Sequence, residues 1–107
     1  QVEKILLNKF QESEGLLGGN RKITYDYEIR IKNNRRSEES VHIFDQIPIA
    51  MNEDIKVELI SPKKDKKELE KNTKLDWQMV LKPGEEKVIP LKFIIRFPKN
   101  MTVYGLE

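Results

Sequence analysis

Lys22-Ile23-Thr24-Tyr25-Asp26-Tyr27-Glu28-Ile29-Arg30-Ile31-Lys32 carries an apolar or aromatic side chain at every second position and a polar one between. A period of two belongs to an extended strand with one face on a core and the other in water, because successive side chains point to opposite faces. The same pattern returns in Ile55-Lys56-Val57-Glu58-Leu59, in Leu75-Asp76-Trp77-Gln78-Met79-Val80-Leu81 and in Ile89, Leu91, Phe93, Ile95 and Phe97. The chain therefore spends its apolar side chains on sheets.

Between these stretches lie residues that break strands. Lys82-Pro83-Gly84-Glu85 reads as a type II turn, with proline presetting φ at the second position and glycine supplying a positive φ at the third. Asn33-Asn34-Arg35-Arg36-Ser37 is a turn into a short strand at Val41 to Asp45, which Pro48 interrupts. Val2 to Phe10 reads as a first strand of irregular pattern. Its run Ile5-Leu6-Leu7 suits a strand buried on both faces, or the end of a helix entering from upstream. Gly15-Leu16-Leu17-Gly18-Gly19-Asn20 is a glycine-rich loop.

Residues 63–74 hold six lysines, three acids and a single apolar residue, Leu69, so no apolar stripe supports a packed helix. Propensity allows helix over Asp65 to Asn72, and a solvated loop that can include a helical turn is expected there. Thr102 to Leu106 reads as a last short strand. With about seven short strands and regular turn signals, the fold class is all-β: an immunoglobulin-like, two-sheet antiparallel β-sandwich. A small open barrel is the rival architecture.

Bulk composition narrows the function classes. The 107 residues suit a single domain, residues 1–107, burying roughly 60–70% of its unfolded surface. Apolar residues make up 37% and charged ones 36%, so a lean core sits under a densely ionic surface. The net charge is only +2, without the clustered basic excess of a nucleic-acid binder. Cysteine is absent, which removes disulfides and thiolate metal sites. No apolar run approaches the ~20 residues that span a bilayer. The chain starts Gln1-Val2-Glu3 without methionine or signal peptide, as expected of a C-terminal fragment of a longer protein in the cytoplasm or cell envelope.

Candidate sites are few. His42 is the sole histidine and shares a segment with Ser40 and Asp45. On one strand Ser40 and His42 share a face about 6–7 Å apart while Asp45 points away, so a nucleophilic relay is not expected. Asn52-Glu53-Asp54 bears oxygens in succession but lacks the alternating, glycine-containing loop of a calcium site, and reads as a turn. Trp77 shares its parity with Leu75, Met79 and Leu81 and reads as core rather than as a stacking platform. The basic run Lys63-Lys64-Asp65-Lys66-Lys67 is diluted by acids and reads as a solvated loop. No catalytic residue, cofactor or metal is expected.

Several phrases together resemble a known family. They are Tyr27-Glu28-Ile29-x-Ile31-Lys32-Asn33, Asp45-Gln46-Ile47-Pro48-Ile49 and Glu53-Asp54-Ile55-Lys56-Val57, followed by Leu75-x-Trp77 and Leu81-Lys82-Pro83-Gly84-Glu85. Phe97-Pro98-Lys99-x-x-Thr102-Val103-x-Gly105-Leu106 closes the set. In order and spacing they resemble the C-terminal domain of mucoidy-inhibitor-A-like proteins, a domain of unknown function. The resemblance implies an unrelated N-terminal domain, a coiled-coil-like middle and this β region at the end. It transfers no activity, cofactor or catalytic residue.

The expectation is thus a non-enzymatic module for protein–protein interaction or architecture, meeting a protein partner or other domains of the parent chain, with no nucleic acid and no transmembrane segment. Its candidate surface is Asp45, Gln46, Ile47, Pro48, Ile49, Asn52, Glu53 and Asp54, where the uncharged Ile47-Pro48-Ile49-Ala50-Met51 leaves the strand pattern. A glycan-binding module is the alternative, and it requires exposed aromatic rings.

Overall fold

The computed structural model describes residues 1–101 and 103, and all of their side chains but those of residues 66, 70 and 71. The elements are β1 (Val2–Glu14), a short 3-10 turn (Leu16–Gly18), β2 (Asn20–Lys32), β3 (Glu39–Gln46), β4 (Lys56–Ser61), α1 (Lys66–Lys71), β5 (Lys74–Leu81) and β6 (Glu86–Pro98). The strands form two antiparallel sheets, one ordered β1-β2-β6-β4 and one ordered β3-β5. This is an all-β sandwich. Six strands lie among the described residues, and the expected last strand at Thr102 to Leu106 falls outside them except for Val103, which is not in a strand.

The period of two sets the register. Ile23, Tyr25, Tyr27 and Ile29 of β2 stand opposite Ile95, Phe93, Leu91 and Ile89 of β6, so two apolar rows share one face. Ile43 of β3 and Leu75 and Leu81 of β5 close over that face from the second sheet, with Trp77 and Met79 packed at the margin. Tyr25, Tyr27 and Phe93 stack side by side, the Tyr25 and Phe93 ring centroids 5.1 Å apart. Each fully buried Leu or Ile here is worth about 1.5–3 kcal/mol of transfer free energy. Pro90 fits because β4 pairs with β6 only along Lys92 to Arg96, so no second neighbour asks for its missing N–H.

Turn chemistry follows the sequence closely at Lys82 to Glu85. Gly84 has φ +74° and the Glu85 amide donates to Lys82 O at 3.0 Å.

Two local expectations need correction. The first strand extends to Glu14, and its apolar run is neither doubly buried nor helical. A β-bulge between Leu6 and Asn8 places one extra residue opposite β2, and Leu6, Leu7 and Phe10 remain largely exposed on an edge strand. In residues 63–74 the helical turn that the sequence allowed grows into the six-residue α1, more than a loop alone. Asp65 accepts from the Lys67 amide at 3.1 Å as its cap, and Leu69 packs on the core, which suffices for six residues.

The two layers are unequal. β1, β2 and β6 run 13 residues, about 43 Å when extended, while β3 and β5 run eight, about 27 Å. The short sheet cannot cover the long one. Val57 and Leu59 of β4 extend the apolar face of the long sheet beside Ile95 and Phe93, and Ile55, Leu69, Met101 and Val103 are half-buried against the core.

Candidate functional site

The stretch from Asp45 to Asp54 divides into an anchored half and an exposed half. Asp45, at the end of β3, receives Lys4 Nζ at 3.1 Å and bonds the Gln46 amide at 2.7 Å. Gln46 Nε2 donates to Thr73 Oγ1 at 3.0 Å, and the Ile47 amide donates to Thr73 O at 3.2 Å. Ile47 is buried in the core and Pro48 is half-buried. Beyond Pro48 the chain turns outward, and Ile49 is 57% and Met51 87% exposed.

Asn52 spends its side chain on a turn, its Oδ1 accepting from the Asp54 amide at 2.8 Å, while its carbonyl accepts from Ile55 N at 3.0 Å. Glu53 and Asp54 line a shallow, open depression with Asn20, Lys56 and Arg96. Arg96 is clamped between Glu58 at 2.8 Å and Glu14 at 2.9 Å. Its pKa is pushed up, first by the Glu58 hydrogen bond and then by Glu14, against burial, which lowers it. That guanidinium is committed to its own carboxylates. Among the described residues, no group of three or more His, Asp or Glu side chains gathers as metal ligands would. Nor is any described helix long and apolar enough to cross a membrane.

His42 stands on the outer face of the short sheet beside Ser40, as the strand parity requires, with Asp45 on the inner face. Its carboxylate partner is one that reading along the strand does not find. Asp76 of β5 lies diagonally across, its Oδ2 2.9 Å from His42 Nε2. Phe44, on the same face, is 72% exposed, with its ring centroid 4.1 Å from that of His42. Trp77 is half-buried against the core.

Two further features escape sequence reading. Leu16 and Leu17 are almost fully exposed at the tip of the β1–β2 hairpin, Leu17 with the left-handed φ of +58°. On the inner face of β1, Lys4 and Lys9 stand over the rings of Tyr27 and Tyr25 at 4.6 and 5.5 Å from the centroids.

The described residues thus form a β-sandwich that displays uncharged side chains on the loop after β3. Residues 1–99 match the family described as Domain of unknown function (DUF4139), and the chain belongs to that family. No curated protein and no solved structure matches it.

Proposed function

We propose that this chain is a non-enzymatic, immunoglobulin-like module for protein–protein interaction or architecture in a larger, cell-envelope-related protein of the mucoidy-inhibitor-A-like kind. The observation that carries the reading is the pair Ile49 and Met51, which project into solvent from a loop fixed on one side by buried Ile47. Apolar side chains held out by a rigid scaffold, in a chain that is 36% charged, mark a surface that another protein covers. Glu53 and Asp54 beside them supply a charged rim.

The test is affinity capture with the parent protein and with an Ile49→Glu, Met51→Glu double variant whose thermal melt matches the original. Loss of the captured proteins in the variant is expected; an unchanged set overturns the assignment of this surface.

A second reading, a glycan-binding module, draws on exposed Phe44 flanked by the His42–Asp76 pair and Gln78, a ring with hydrogen-bonding groups at its edge. Chemical-shift changes at Phe44 on titration with oligosaccharides support it. Their absence, while Ile49→Glu abolishes protein capture, leaves the first reading alone.

A further inference from the structure

Among the described residues each sheet has two outer strands: β1 and β4 in the long sheet, β3 and β5 in the short one. An unpaired strand edge offers a row of free N–H and C=O groups, and lysine, proline or a bulge normally guards it. β1 carries Lys4, Lys9 and the bulge at Leu7. β4 carries Lys56, a second irregularity between Leu59 and Ser61, and Pro62 just beyond its end. β5 starts at Lys74, and Lys64 Nζ caps the carbonyls of Asn72 and Lys74 at 3.1 and 3.0 Å. β3, Glu39-Ser40-Val41-His42-Ile43-Phe44-Asp45-Gln46, has no lysine, no proline and no bulge, and its two inward carboxylates, Glu39 and Asp45, are taken up by Arg35 and Lys4.

That unguarded edge lies next to the gap in the sandwich. The Lys4–Asp45 ion pair ties β1 to β3, and Gln1 and Val2 line a cleft with Glu39, Ser40 and Val41. β3 is thus the strand of the short sheet on the β1 side. Opposite the missing cover, the inner face of β1 presents Val2, Lys4, Leu6 and Lys9, in register with Ile31, Ile29, Tyr27 and Tyr25. Lys4 has Asp45 as its counter-charge. Lys9 has no carboxylate partner among the described residues and rests only over the Tyr25 ring. A third strand on β3 would cover Val2 and Leu6 and bring a side chain to Lys9.

We infer that β3 receives an extended peptide segment from outside these 107 residues, adding a strand to the short sheet, with apolar side chains over Val2 and Leu6 and a carboxylate meeting Lys9. The backbone edge supplies affinity, and the alternation of apolar and acidic residues supplies register. This inference rests on the interaction reading above but uses a different surface from Ile49 and Met51.

The probe is the octapeptide acetyl-Thr-Val-Thr-Glu-Thr-Val-Thr-Val-amide, used free and also joined to Gln1 through a Gly/Ser linker, which raises its effective concentration to the order of millimolar. Amide hydrogen exchange along Glu39–Gln46 should slow by about tenfold in the joined protein, and saturably with free peptide. Lys9→Glu should weaken the free peptide by about fivefold, and replacing its glutamate by lysine should restore binding to that variant. Unchanged exchange in β3 of the joined protein overturns the inference, as does protection appearing on β4 or β5 instead. Indifference to the Lys9 exchange overturns the assigned chemistry, and dimerisation through β3 in sedimentation makes the occupant a second copy. Ile49→Glu, Met51→Glu protein should bind the peptide normally, so failure at one surface is distinguishable from failure at the other.

Discussion

Asn33 Nδ2 donates to the carbonyl of Leu81 at 3.0 Å, joining residues 48 apart in the chain. The same amide also reaches Ser37 O at 2.9 Å and Lys82 O at 3.2 Å, while Oδ1 accepts from the Arg35 amide at 2.9 Å. The main chain of Asn33 exchanges bonds with Glu85 and Gly84. One buried side chain therefore fastens the β2–β3 turn to the β5–β6 turn and ties the two sheets together at that end.

Asn33→Ala should cost about 2–4 kcal/mol, because several acceptors lose their donor in a site that water does not readily enter. Asn33→Asp should be at least as damaging, since a carboxylate cannot donate to Leu81 and Lys82 and would face their carbonyl oxygens. Urea denaturation of both variants measures this; a loss below about 0.5 kcal/mol would contradict the role given to Asn33.

How much of this was legible in the sequence depends on whether the signal was local. Ile23 to Ile31, Leu75 to Leu81 and Ile89 to Phe97 declare their faces by alternation, and the turn at Pro83-Gly84 declares itself by φ. Asn33 does not, since an asparagine ahead of Asn34-Arg35-Arg36-Ser37 looks like any turn residue until Leu81 is brought to it. The His42–Asp76 contact needs the β3–β5 register, which no period reveals. Phe44, Leu16 and Leu17 are apolar, and a residue type alone does not say which side chains the interior leaves over. For the candidate surface, the break in alternation at Ile47 to Met51 was visible, but not that Ile47 turns in while Met51 turns out.

Tyr25 is buried, and its hydroxyl has no hydrogen-bond partner. Burial, with a smaller contribution from Tyr27, pushes its pKa above the ordinary 10. The folded state thus keeps the proton at a pH where the unfolded chain releases it, so stability falls as pH rises above about 10. Tyr25→Phe should be neutral or stabilising by up to about 1 kcal/mol at pH 7, since no partner is orphaned, and should flatten that alkaline decline. Thermal melts of both proteins from pH 7 to 11 decide it.

Leu17 holds φ +58° and ψ +21° with its side chain in water, so nothing in the packing repays its backbone strain. Leu17→Gly should raise stability by about 0.5–1 kcal/mol. Leu16→Gly, at a neighbouring exposed position without a positive φ, should give no gain. Equal effects from the two substitutions in a denaturation series would mean that the hairpin tip does not keep this conformation.

Leu6, Tyr27 and Leu91 form one row across β1, β2 and β6, with the same residue type at both ends. Leu91 has no exposed surface and Leu6 is 44% exposed, because the short sheet reaches over β6 and stops before β1. Leu91→Ala should therefore cost about 2–5 kcal/mol, the cavity cost of a close-packed site. Leu6→Ala should cost less than about 1 kcal/mol in this chain alone. Adding a strand at β3 should raise the cost of Leu6→Ala towards that of Leu91→Ala, since the same methyl groups would then lie under cover. Measuring both substitutions with and without the joined peptide tests the unequal layers directly, and a Leu6→Ala cost that does not move would mean the gap above β1 stays open.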